Sequence, residues 1–249
     1  MPPASPHALT GIPELYHLPG FYEPFAAISH LLGAVVFLVL GCLLLRRGRG
    51  DRARMVFLGI YAVSAVVLFS LSGVYHMLVR GGAAQQVMGQ LDHAAIFVLI
   101  AGTFTPGFGI LYRGWVRWAG LLFIWSAAIT GIVLTTVFYG TVAEGMRLTF
   151  YLTLGWSGTI ATIDLWRRYG FPFIRPLVIG GVINTAAAVS QHFGWPILIP
   201  GVVHAHEMFH VVVFAGSVFH WLFIWQFAAG APAENLRFDG LGQAEPTLG

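Results

Sequence analysis

Apolar residues fall into seven long runs, separated by short stretches of arginine, glycine, proline and acidic side chains. The runs are approximately Phe25–Leu45, Met55–Leu78, Gln90–Leu111, Val116–Phe138, Met146–Trp166, Pro176–His192 and Val203–Ala229. Several reach the roughly 20 residues a helix needs to cross a bilayer. The pattern predicts an all-α polytopic membrane protein with seven transmembrane helices. The helical domain would occupy residues 25–229, between an N-terminal tail (1–24) and a C-terminal tail (230–249). The sixth run is the weakest, being short and carrying Asn184, Gln191 and His192. No internal repeat is evident, and the connections are too short for a separate soluble domain.

Composition agrees with this class. Of the 249 residues 57% are hydrophobic and only 9% charged, and the mean hydropathy is +0.77. A single cysteine, Cys42, excludes internal disulfides and cysteine-based zinc sites. The Pro-rich first twenty residues lack the basic-then-apolar order of a signal peptide, so the first run is expected to stay as a helix. The formal charge of +3, spread over short loops, gives no sign of nucleic-acid binding.

All thirteen basic residues are arginine, and they sort by loop parity. Arg46, Arg47, Arg49, Arg52 and Arg54 follow the first run; Arg113 and Arg117 follow the third. Arg167, Arg168 and Arg175 follow the fifth, and Arg237 lies in the C-terminal tail. The opposite side holds Arg80 and Arg147 alone. By the positive-inside rule the C-terminus is cytoplasmic and the N-terminus outside.

Against this apolar background a few polar residues converge. The second run ends Ser72-Gly73-Val74-Tyr75-His76, with Ser72 and His76 one turn apart on one face. The third begins Gln90-Leu91-Asp92-His93, and the last opens with His204-Ala205-His206-Glu207-Met208-Phe209-His210. Alternating directions put these three ends on the same side of the membrane, at similar depth. Titratable groups inside a membrane segment are costly, need partners, and mark working sites. His76, His206 and His210, with a fourth position open, suit catalytic zinc, which lowers the pKa of a coordinated water to roughly 7. Asp92 is then the candidate general base. Ser72 either donates to a polarised substrate oxygen or bonds the carbonyl one turn back. His30, His192 and His220 read as interhelical hydrogen-bonding groups. His93 is expected to face a neighbouring helix, and His204 to point away from His206.

At these residues the chain resembles the hemolysin III family of bacterial membrane proteins. That family is related to adiponectin and progestin receptors and, more distantly, to alkaline ceramidases. The resemblance also rests on Glu23, Ser29-His30-Leu31-Leu32-Gly33, Asp92-His93-Ala94-Ala95-Ile96 and Ala101-Gly102-Thr103-Phe104-Thr105-Pro106. It implies seven helices and Zn2+ on His76, His206 and His210, with Asp92 reaching the metal through water and Ser72 lining the site. The receptors and ceramidases imply hydrolysis of a lipid amide. Ala26 departs from the family, many of whose members carry Asn there. The animal receptors also imply zinc toward the cytosol; the arginines here imply the reverse, and we follow them.

Three functions compete. One is a zinc-dependent membrane hydrolase acting on a lipid amide or ester. Another is a non-catalytic receptor, transporter or pore with structural zinc, although no acidic ring or repeated polar stripe crosses the runs. The third takes His206-Glu207-Met208-Phe209-His210 literally as H-E-x-x-H, the metalloprotease pattern with glutamate as base. The extended form of that pattern fails at Val213 and Gly216. His220 lies about 15 Å along the helix from His210, too far to share one ion.

Overall fold

In the computed structural model the apolar runs fold as helices. They are α1 Pro24–Arg47, α2 Arg52–Met77, α3 Ala83–Pro106, α4 Gly114–Val137, α5 Glu144–Trp156, α6 Thr159–Tyr169, α7 Phe171–His192 and α8 Ala205–Phe227. The structure describes Leu18 and residues 20–139, 141–199 and 204–234. Most of both expected tails, Arg237, and the expected start of the last run at Val203 lie outside the described residues.

Local chemistry sets several helix ends. The Asp51 carboxylate accepts from the backbone N–H of Arg54 at 3.0 Å and caps α2. Pro172 sits in the first turn of α7, where its missing N–H costs nothing. At the far end of α3, Pro106 withdraws a backbone donor and crowds the preceding turn. The helix widens just beyond it into a π turn, Gly107–Leu111.

Six helices are long and apolar enough to cross a membrane on their own. The fifth expected span is instead shared by α5 and α6, which part at Ser157-Gly158. Ser157 and Thr159 hydroxyls donate to the carbonyls of Leu154 and Trp156, both at 2.6 Å, and so satisfy groups that a continuous helix would have paired. Phe104 of α3 presses so closely on Gly158 that any side chain there would overlap its ring. The apolar run reads straight through this break because Ser157, Gly158 and Thr159 are small and uncharged. The sixth expected span also starts earlier than Pro176, at Phe171, which gives α7 its full length.

Consecutive helices α1 to α4 pack side by side, α7 packs on α8, and α8 returns to α1. α5 closes the ring against α3, α4 and α7. Phe37, Phe69, Tyr61, Ile224 and Phe227 are among the residues filling the seam between α1, α2 and α8, with Phe37 and Phe69 stacked at 5.1 Å. Close approach of α1 to α2 depends on Gly73, since an added Cβ would stand 2.7 Å from Leu31 Cγ and 3.1 Å from its backbone nitrogen. Leu32, Leu38, Leu122, Phe123 and Ile129 face outward, as a bilayer requires.

The two membrane faces are chemically distinct. Arg47 donates to the Trp225 carbonyl at 3.1 Å and lies over the Trp225 ring, while Arg54 donates to the carbonyl of Ala229. Arg168 donates to the Leu111 carbonyl at 3.2 Å and pairs with Glu234. These contacts gather the arginine-rich connections and the end of α8 on one face. At the other face, backbone N–H groups of Tyr22 and Glu23 donate to the carbonyls of Met77 and His76, at 3.2 and 2.9 Å. The segment before α1 is thereby fastened over the end of α2.

Candidate metal centre

His76 lies in the last turn of α2, and His206 and His210 lie on the first two turns of α8. Antiparallel packing brings those ends to one face, and the i, i+4 spacing turns both α8 histidines the same way. Their ring centroids stand 4.6 Å apart, and the His76 ring is 4.6 Å from His210 and 4.9 Å from His206. Each side chain offers one ligand atom within 4.8 Å of the other two. His76 and His210 are buried, and His206 is half-buried. Zinc–nitrogen bonds of about 2.0–2.1 Å in a tetrahedron place two nitrogens roughly 3.3 Å apart, and His206 Nε2 and His210 Nε2 are separated by 3.1 Å. The donor set therefore fits a metal ion held by three imidazoles.

Asp92 and Ser72 are brought to the same place without joining the trio. Both are buried, and both face the same cavity. Among the described residues, the histidine trio is the group close enough to share an ion, and Asp92 stands outside it. Asp92, Ser72 and the three histidines all line one cavity of about 1240 Å³. Along α3 this cavity runs from Asp92 through Ile96, Leu99 and Thr103 to Phe108, roughly 24 Å of helical rise. Its walls are mostly apolar away from the histidine end.

The outer nitrogens of the histidines are also engaged. His76 Nδ1 hydrogen-bonds the Glu23 carboxylate, whose second oxygen pairs with Arg80. His210 Nδ1 lies 2.8 Å from a ring nitrogen of His30, and His206 Nδ1 lies 3.2 Å from the Gln191 amide. Glu23 is buried at the mouth of α1. Burial pushes its carboxyl up, but the His76 hydrogen bond and charge, aided by His206 and Arg80, outweigh that and hold it at about 2. Sequence reasoning assigned no role to Glu23, Arg80 or Gln191. The available signal was an acidic residue at the very edge of a membrane run, facing a sparse pair of arginines.

Of the histidines read as interhelical hydrogen-bonding groups, His30 makes such a bond, whereas none is seen at His192 or His220 among the described residues. His30 bridges α1 to α8 through His210 and packs edge-on to Phe69 at 5.0 Å. His93 bonds the Gly89 carbonyl at 2.7 Å and meets the Tyr139 ring beyond α4. His220 lines the cavity far from the trio, against Gly180. His204 is the N-cap of α8, where its side chain accepts from the backbone of Glu207. The Glu207 carboxylate in turn accepts from the His204 N–H at 2.9 Å. In this chain the glutamate of H-E-x-x-H closes a capping box.

The sequence pattern of the family described as "Haemolysin-III related" matches residues 21–221. "Hemolysin-3" of Bacillus cereus is 30% identical over 193 residues, covering 77% of this chain and 84% of its own. "Monocyte to macrophage differentiation factor" of Homo sapiens is 24% identical over 227 residues, covering 88% and 90%. "Heptahelical transmembrane protein ADIPOR2" of Oryza sativa subsp. japonica is 28% identical over 184 residues, covering 68% and 79%. The matched region runs from the segment that fastens Glu23 over α2 into α8, taking in every residue of the trio, and the chain belongs to the haemolysin-III related family.

Proposed function

We propose that this protein is a zinc-dependent membrane hydrolase that cleaves an amide or ester bond of a lipid. The observation that carries the reading is the junction of three convergent imidazoles and a buried carboxylate with a long apolar cavity. His76, His206 and His210 would hold Zn2+, which supplies Lewis acidity toward the carbonyl and a nucleophile at neutral pH. Asp92, across from the trio, takes a proton from the attacking water and returns it to the departing amine or alcohol. Ser72, which lines the cavity with Asp92, donates its hydroxyl toward the substrate oxygen. The cavity wall from Ile96 to Phe108 takes the acyl chain and keeps bulk water from the reacting bond.

The test is release of free fatty acid from a panel of N-acyl and O-acyl lipids by the purified protein, with His206→Ala as the blank. Glu207→Gln is the informative control, because glutamine preserves a capping box. Lipid hydrolysis should survive that change within about twofold, whereas a protease using Glu207 as base would lose about a hundredfold or more. The alternative is a receptor, transporter or pore with structural zinc, using the same cavity without turnover; a parent protein inert on the whole panel selects it.

The proposed orientation puts the metal outside and the arginine-rich face in the cytoplasm of a bacterial plasma membrane. In a Cys42→Ser background, Ala84→Cys should react with an impermeant thiol reagent on intact cells while Arg49→Cys stays protected. Both positions are exposed on their respective faces, so accessibility alone does not separate them. The reverse labelling would invert the topology and leave the metal centre as described.

A further inference from the structure

We infer that Glu23, backed by Arg80, is a positioning residue for the metal: it fixes the tautomer and orientation of the His76 ring. The inference rests on the reading of the histidine trio as a zinc site. A ring nitrogen that binds a metal must be unprotonated, so the proton of a neutral imidazole has to sit on the other nitrogen. His76 Nδ1 meets the Glu23 carboxylate, which can only accept. The proton is therefore drawn to Nδ1 and His76 Nε2 is left for the ion. A carboxylate behind a ligand imidazole also raises its basicity.

The second oxygen of Glu23 is engaged by Arg80, and its backbone N–H is tied to the His76 carbonyl at 2.9 Å. The carboxylate is thus held by His76 and by the half-buried Arg80, and the oxygen that meets His76 Nδ1 lies 3.9 Å from His206 Nε2. Arg80 itself lies over the Tyr22 ring, which keeps the guanidinium at the site's edge. The same arrangement recurs at His210, whose Nδ1 meets a ring nitrogen of His30 on α1. α1, which contributes no ligand, and the segment before it are thereby coupled to metal binding.

The experiment compares the full-length protein in detergent with Glu23→Gln and Glu23→Asp. Zinc affinity is read by chelator competition, the visible absorption of bound Co(II) is recorded, and the metal-free proteins are melted. Glu23→Gln should weaken zinc about 10–100-fold and shift the Co(II) bands, a larger loss than the drop in metal-free stability caused by losing the Arg80 pair. Glu23→Asp, which keeps the charge on a shorter arm, should recover part of the affinity. Unchanged affinity and bands in Glu23→Gln would overturn the inference, as would a loss matched by an equal drop in metal-free stability. A parent protein that binds neither Zn(II) nor Co(II) would remove the zinc reading itself, and this inference with it.

Discussion

Alanine at His206 or His210 should leave the protein without its metal, against one zinc per chain in the parent. Each substitution removes one of three nitrogens that approach a common point, and two imidazoles at this spacing hold zinc far more weakly than three. Because the ion binds the folded form, its loss also removes stability: a metal present at a thousand times its dissociation constant contributes about 4 kcal/mol. The variants should therefore melt where the chelator-treated parent melts, and added zinc should raise the melting temperature of the parent alone. His76→Ala should behave alike. His220→Ala is the matching control, since His220 lines the same cavity away from the trio. Element analysis beside thermal melting reads both effects, and full zinc occupancy in all three ligand variants would reject the assignment.

Sequence patterning carried the architecture because bilayer crossing imposes a length and a polarity that few other folds share. Six of seven expected spans appear as single helices with ends shifted by a few residues. The larger shift, at the start of α3, arises where Ala83-Ala84-Gln85-Gln86 is helical without being apolar. The α5–α6 break escaped notice because nothing in hydropathy marks it; it depends on the contact between Gly158 and Phe104, some fifty residues apart in sequence. Convergence of His76, His206 and His210 was legible from strand-free counting of membrane crossings, since three helix ends on one face leave few alternatives. The outer partners were not legible in the same way. Glu23, His30 and Gln191 act through contacts between α1 or the segment before it and α2, and between α7 and α8. Neighbour relations of that kind follow from packing and not from periodicity.

A change confined to one functional group at Asp92 should separate metal binding from catalysis. Asp92→Asn keeps the shape of the side chain, so the packing between α2 and α3 is preserved. The carboxylate lies outside the trio, and zinc content should therefore remain near one per chain. An amide cannot take up a proton at its oxygen near neutral pH, and lipid turnover should fall by about 10²–10⁴-fold, the usual contribution of a positioned general base. Ser72→Ala should act in the same direction but more weakly, since it removes a donor toward the substrate oxygen and leaves the base in place. Zinc content and fatty-acid release have to be measured on the same preparation, because each outcome assigns Asp92 differently. Metal loss in Asp92→Asn makes the carboxylate a fourth ligand and closes the coordination shell, as in structural sites. Retained turnover takes Asp92 out of the chemistry. Metal retained with turnover lost leaves the buried carboxylate as the base, and the cavity beside it as the place where the acyl chain lies during the reaction.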